Sequence, residues 1–268
     1  MRARQTLLAR LAESFGRSSL WHREHSVWGQ RMTSASFDRW LYLRLHRAGR
    51  IGGTERDSLQ SIVRPGMTAL DVGANLGLYT VLLSRLVGTS GRVIAFEPDP
   101  HHFALLLKNC ALNACANVEA HNLALGSDKK RLLLHKEILN SGNNFLGAGS
   151  RHSRSELEVD VVSIDGFLPA LRPDLVKIDV QGWEVEVLRG MRRMLTNAPH
   201  IALYLEFWPM GLRRAGSSPD ELLDLLAGQG FQIYLSENRR HTPLGATDLA
   251  ALTARLGRSR HANLYAAR

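Results

Sequence analysis

The stretch Met67-Thr-Ala-Leu-Asp71-Val-Gly73-Ala-Asn75-Leu-Gly77-Leu-Tyr79-Thr80 constrains this chain more than any other. Pro65-Gly66 before it signals a turn. Met67, Ala69, Leu70 and Val72 make a short apolar run suited to an inner strand of a parallel sheet. Gly73 and Gly77 let the backbone bend tightly and let a ligand approach where a Cβ would intrude. Leu78, Val81, Leu82 and Leu86 recur at helical spacing, so a helix starts near Gly77. Its free N–H groups and positive dipole end face a crevice. Open α/β sheets bind nucleotides there, at the carboxyl ends of their strands.

A second strand, Arg92 to Phe96, carries Glu97 at its carboxyl end, and Pro98 stops it. Glu97 stands 24 residues after Gly73. An acid at about 20 residues beyond the first turn accepts hydrogen bonds from ribose hydroxyls. A carboxylate suits a diol because it offers acceptors only. The loop has two glycines and does not match the dinucleotide fingerprint G-x-G-x-x-G. Asp71 repels a pyrophosphate and suits an ammonium, or water beside a cationic sulfonium. The residues therefore favour S-adenosylmethionine over NAD.

The motifs Asp71-Val-Gly-Ala-Asn-x-Gly-x-Tyr-Thr80, Phe96-Glu-Pro98 and Val176-Lys-Ile-Asp179-Val-Gln-Gly182-Trp-Glu184-x-x-Val-Leu-x-Gly190 follow in one order. In this the chain resembles the FkbM family of S-adenosylmethionine-dependent methyltransferases over roughly residues 60–268. The resemblance implies an α/β, Rossmann-like class I methyltransferase fold. Its sheet is doubly wound, mostly parallel and seven-stranded, with helices on both faces. Cofactor binding is implied for Asp71, Gly73, Asn75, Gly77, Tyr79, Thr80 and Glu97. The turn Ala124-Leu125-Gly126 is implied for the adenine pocket. The family includes O-methyltransferases acting on hydroxyls of sugars and natural products, so the expected partner is a small-molecule or glycan acceptor. The family turn commonly reads Asp-Val-Glu-Gly. Here Gln181 replaces the Glu, and an amide cannot take a proton.

Placement nominates the acids for proton transfer. Asp179 ends the strand beside the first one, and Glu206 ends His200 to Glu206. Phe207 and Trp208 follow Glu206, and desolvation there raises a carboxyl pKa. Gln181, Trp183 and Trp208 are expected to line the acceptor pocket. Methyl transfer from a sulfonium needs alignment and exclusion of water, and an alcohol acceptor also needs a general base. Asp179 and Glu206 are the candidates.

The rest of the chain reads as follows. Ser34 to Ala48 predicts an amphipathic helix, Thr54 to Val63 another, and Asp99 or Pro100 opens a third running to Asn113. His101 and His102, in its first turn, are expected at the surface. Strands are predicted at Val118–Leu123, Lys129–Ile138 and Leu157–Val162, and Asn140–Ser150 as a substrate lid. Ser163 is placed to cap a short helix, and Trp183 to Leu195 reads as one helix. A helix spans Pro219 to Gly228, and Phe231–Leu235 and Asn263–Ala267 form a final antiparallel pair.

Charge divides the chain. Its 268 residues carry a net +9, and residues 1–60 hold eleven Arg and no Lys against five acids. Residues 1–58 read as a basic, partly helical extension and 59–268 as the methyltransferase domain. Leu7, Leu8 and Leu11 among arginines offer one route to a membrane surface. Two cysteines, Cys110 and Cys115, cannot complete a metal site and read as reduced thiols, so no metal is expected. No apolar run approaches a membrane span and no signal peptide is read, which points to the cytoplasm. Two other classes stay open. One is an NAD-dependent oxidoreductase. The other is a nucleic-acid methyltransferase, although no base-flipping signature is present and no nucleic-acid partner is expected.

Overall fold

The computed structural model describes residues 24–34, 53–136, 144–146, 155–257 and 260–268. Residues 35–48 of the expected helix, the leucines of the extension and most of Asn140–Ser150 lie outside them. The first elements are a hairpin of β1 (His25–Val27) and β2 (Gln30–Met32), then helix α1 (Gly53–Ile62). The nucleotide-side half follows: β3 (Thr68–Val72), α2 (Leu78–Val87), β4 (Arg92–Phe96), α3 (Pro100–Leu112) and β5 (Val118–His121). A smaller sheet is built from β6 (Ala124–Leu125), β7 (Lys130–Lys136), β8 (Phe145–Leu146) and β9 (Ser155–Val162). The second half contains α4 (Ile164–Phe167), β10 (Leu175–Ile178), α5 (Glu184–Arg189), α6 (Arg192–Asn197), β11 (Ala202–Phe207), α7 (Pro209–Arg214) and α8 (Pro219–Gly228). It closes with β12 (Gln232–Glu237), β13 (Arg240–Pro243), α9 (Ala246–Leu256) and β14 (Ala262–Ala267).

The main sheet runs β13-β12-β14-β11-β10-β3-β4-β5. Strands β11, β10, β3, β4 and β5 are parallel neighbours, and β14 pairs antiparallel with both β11 and β12. This is the doubly wound, mostly parallel α/β sheet expected. Its seven expected strands are present, and β13 adds an eighth at the edge beside β12. The strand order reverses between β3 and β10, so a crevice opens at their carboxyl ends.

Both faces of the sheet are covered, as its alternation requires. Leu70, Val72, Ile94, Phe96, Val176, Ile178, Leu203 and Leu205 share one core with Val185, Leu188 and Leu195. The residues between them, Ala69, Val93, Leu175, Ala202 and Tyr204, meet Leu59, Leu82, Leu83 and Val87 on the other face. Asp71, Lys177 and Glu206 fall in register with this second set.

Four local expectations change. Trp183 to Leu195 is two helices, because Gly190 packs so tightly on the Gly126 carbonyl that a Cβ would overlap it. Phe145 and Leu146, read as part of a polar loop, form β8 and are buried against β7. His102 is buried: Asp99 caps α3 and stands 3.2 Å from the His102 ring, with Lys136 of β7 at 2.6 Å on the same carboxylate. Residues 24–34 are built into the fold. Val27 and Met32 sit in a core with Leu76, Leu78 and Leu106. Asn109 and Asn113 of α3 serve this hairpin as a strand edge would. Asn109 Oδ1 accepts from the Thr33 N–H at 2.7 Å, and Asn113 Nδ2 donates to the Arg31 carbonyl at 2.7 Å. Asn109 Nδ2 also donates to the Leu76 carbonyl at 2.8 Å, which ties hairpin, helix and glycine loop together.

Candidate active site

The crevice at the switch point is a cavity lined by the glycine loop, the end of β4, the turn at β6, residues of β7 and β8, and the turn after β10. Gly73 has φ +80, and a Cβ there would overlap the Asp179 carbonyl, so the loop and the β10 turn touch backbone to backbone. Asn75 also takes a positive φ of 50. Gly73 and Ala74 both donate to the Phe96 carbonyl at 3.0 Å, which pins the loop to β4. Gly77 serves packing instead: its φ is +88 and Leu106 of α3 occupies the space beside it.

Glu97 lines the cavity with its carboxylate held from behind. Asn75 N–H donates to Oε2 at 2.8 Å and Asp99 N–H to Oε1 at 2.9 Å. Each oxygen keeps a second lone pair for a ligand. Burial raises the Glu97 pKa, and His102 opposes the shift. Much of the remaining lining is apolar, with Phe96, Leu123, Ala124, Leu125, Leu134 and Leu146. Trp183 belongs to that lining. Its indole N–H is buried, lacks a hydrogen-bond partner among the described residues and lies beside Gly126. Trp208 is not among the lining residues; its ring lies over Gly211 and 4.9 Å from the Arg214 guanidinium.

At the other end stand the acids. Gln181 Nε2 donates at 2.8 Å to Asp179 Oδ1 and at 2.8 Å to Glu206 Oε2. Gln181 is held in a left-handed conformation, φ 55, between Asp179 and Gly182. Glu184 fixes that turn by accepting from Gly182 N–H at 3.1 Å, and burial pushes its own carboxyl up to about 7. Glu206 is 13 % exposed, and burial, then Asp179, Glu184 and Glu55, raise its pKa well above the carboxylate range.

Asp71, Tyr79 and Thr80 lie behind this site, outside the cavity lining. Asp71 is buried, accepts from Thr80 Oγ1 at 2.7 Å and stands 3.4 Å from Lys177 Nζ. Lys177 is also 3.7 Å from Asp179 and 4.8 Å from the centre of the Tyr79 ring. Burial pushes Lys177 down, but Asp71, Asp179 and Glu55 outweigh it and hold the lysine charged. The Tyr79 hydroxyl donates to Glu55. Sequence reading gave no role to Lys177, Glu55 or Glu184. The signal for Lys177 was a lysine between Val176 and Ile178 in an inner strand, which requires a buried carboxylate partner.

The lining residues decide the ligand class. They include two acids, Glu97 and Asp179, and no lysine or arginine among the described residues. A pyrophosphate there would face two carboxylates and no lining cation to bind it, whereas a sulfonium and an ammonium are matched. Residues 71–233 match the family described as methyltransferase FkbM domain, more than half of the chain. The chain belongs to this family. S-adenosylmethionine is accordingly its cofactor, and the diol-ready Glu97, the apolar wall with the free indole N–H, and the acidic end fit it.

Among relatives of this FkbM chain, Methyltransferase 1 of Beauveria bassiana is 32 % identical over 143 residues, 46 % of this chain and 57 % of that protein. Hexuronic acid methyltransferase AglP of Haloferax volcanii is 27 % identical over 158 residues, 59 % of this chain and 60 % of that protein. The chain thus spans less than two thirds of the length of either relative. Precorrin-6y C5,15-methyltransferase of Geobacter metallireducens superposes with a TM-score of 0.47 at 12 % identity, over 80 % of this chain and 88 % of that one. No helix of the described residues is long and apolar enough to cross a membrane.

Proposed function

We propose that this chain methylates a hydroxyl group on a sugar, glycan or natural-product acceptor, with Glu206 and Asp179 handling the proton. The observation that carries this reading is the carboxylate pair bridged by Gln181 at the acidic end of the cofactor cavity. S-adenosylmethionine supplies an electrophilic methyl group when bound. What remains for the protein is to orient an oxygen, exclude water and accept a proton.

The parts divide that labour. Glu97 holds the ribose diol, and Gly73 and Asn75 bring backbone close to the ligand. Ala124, Leu125 and Trp183 receive the purine. Gly126 seats the turn by packing on Val161. Asp71, Tyr79 and Thr80 act at one remove. Asp71 and the Tyr79 ring hold Lys177 in place, Thr80 anchors Asp71, and Lys177 stands 3.7 Å from Asp179. Glu206, its pKa raised by burial and neighbouring acids, is when ionised a stronger base than an exposed carboxylate. Gln181 spends its two amide hydrogens on the two acids and leaves its carbonyl for a ligand. AglP, named for hexuronic acids, supports a sugar acceptor.

Radiolabelled methyl transfer to a panel of glycosides tests the reading. A labelled methyl ether that depends on Glu206 is the expected product. Transfer at wild-type rate in Glu206→Gln would remove Glu206 from the chemistry.

A further inference from the structure

We propose that the acceptor enters from a second cleft behind Glu206, where Arg255 and Arg260 select an acceptor bearing an anionic group, carboxylate or phosphate. The inference rests on the methyl-transfer reading above and adds the acceptor's route and charge.

The cleft is lined by Glu55, Ser236, Arg255, Arg260, His261 and Asn263, with Glu237 as its other acid. It lies at the edge of the main sheet formed by the end of β12, the start of β14 and the first turn of α1. Glu206 joins it to the cofactor cavity. One Glu206 oxygen accepts from Gln181, which lines the cavity; the other stands 3.7 Å from His261 Nδ1, which lines the cleft. Glu206 thus touches one lining residue of each chamber, where it can meet a hydroxyl presented from the cleft.

The two chambers differ in charge. The cofactor cavity has acids and no cation among its described lining residues, whereas the cleft sets two arginines and a histidine beside its two acids, Glu55 and Glu237. Both arginines are exposed, and neither guanidinium has a carboxylate partner among the described residues. Glu55 is occupied by the Tyr79 hydroxyl and by Asn263 Nδ2 at 3.2 Å. Unpaired guanidinium groups bind carboxylate and phosphate bidentately. The amide oxygen of Asn263, in the same lining, can accept from a hydroxyl. An anionic sugar matches the whole set.

The test is direct binding to the protein loaded with S-adenosylhomocysteine. Methyl glucuronide, glucose 1-phosphate and methyl glucoside are titrated into wild type and into Arg255→Gln/Arg260→Gln, followed by NMR. The expected result is at least about tenfold tighter binding of an anionic sugar than of the neutral one. The variant should lose that preference while its S-adenosylhomocysteine affinity is unchanged. The glucuronide and phosphate arms tell which anion is preferred. Equal binding of all three sugars, binding of none, or a preference that survives in the variant overturns the inference. A methyl-transfer assay on the same sugars separates it from the functional reading. An anionic sugar held through the arginines but never methylated counts against the functional reading alone. A neutral sugar methylated equally by wild type and variant counts against the cleft alone.

Discussion

Glu206 is the residue whose surroundings change its chemistry most. Burial comes first and the neighbouring acids second, and both favour the protonated form. Its folded pKa lies above the unfolded value, so its contribution to stability is complete below the unfolded pKa and is lost as pH rises through the folded one. Glu184, pushed up to about 7 by burial, has the same sign. Urea midpoints from about pH 5 to about pH 9 should therefore fall with pH in wild type and fall less in Glu206→Gln. Methyl transfer in that variant should drop by about 10²–10⁴, the usual loss of a general base. A midpoint profile identical to wild type would contradict the raised pKa of this buried carboxyl. The thiols offer a second check. A hydrogen bond from Cys110 outweighs burial and, with Ser84 and Arg85, draws Cys115 down to about 6, while Cys110 is pushed up. Alkylation followed by mass spectrometry should mark Cys115 well before Cys110 at neutral pH. Equal labelling would show that the pairing is absent.

At the scale of elements, the turn after β10 is the part least tolerant of change. Gly182 has φ +106, and a Cβ would overlap the backbone of Gly211. Gly182→Ala combines backbone strain with overpacking, each costing about 1–3 kcal/mol, and should lower the unfolding midpoint sharply. Asn109→Ala strands the Thr33 and Leu76 groups it now serves, at about 1–3 kcal/mol for each group left unsatisfied in the interior. It should weaken cofactor binding as well, since Leu76 belongs to the glycine loop. Retention of wild-type stability would mean the hairpin is not held this way. These two devices also mark what sequence could not show. β4 was legible to the residue, because Arg92–Phe96 is a continuous apolar run ended by Glu97 and Pro98. The break at Gly190 depends on the Gly126 carbonyl, 64 positions away in the chain, and helical spacing carries no trace of it. His102 read as a surface residue because Lys136, which completes its buried pair with Asp99, comes from another sheet. In the site, Glu97 and Gly73, nominated by spacing and turn chemistry, both line the cavity. Trp183, expected in the acceptor pocket, lines the same cavity as Gln181, and its indole nitrogen lies beside Gly126, a neighbour that sequence spacing could not show.

The whole molecule holds two chambers, and Glu206 touches a lining residue of each. Its described amino-terminal hairpin is part of that body. Val27 and Met32 are fully buried, and loss of one such side chain costs about 2–5 kcal/mol. Removing residues 1–34 should lower the unfolding midpoint, whereas an unchanged midpoint would show the hairpin to be dispensable. The central claim, that the switch-point cavity takes S-adenosylmethionine through Glu97, has a direct test in calorimetric titration with S-adenosylhomocysteine. The account predicts saturable binding with one site per chain, no heat with NAD, and a loss of about 1.5–3 kcal/mol in Glu97→Ala, the range for hydrogen bonds to a charged group. Binding of NAD in its place, or unchanged S-adenosylhomocysteine affinity in Glu97→Ala, would contradict it.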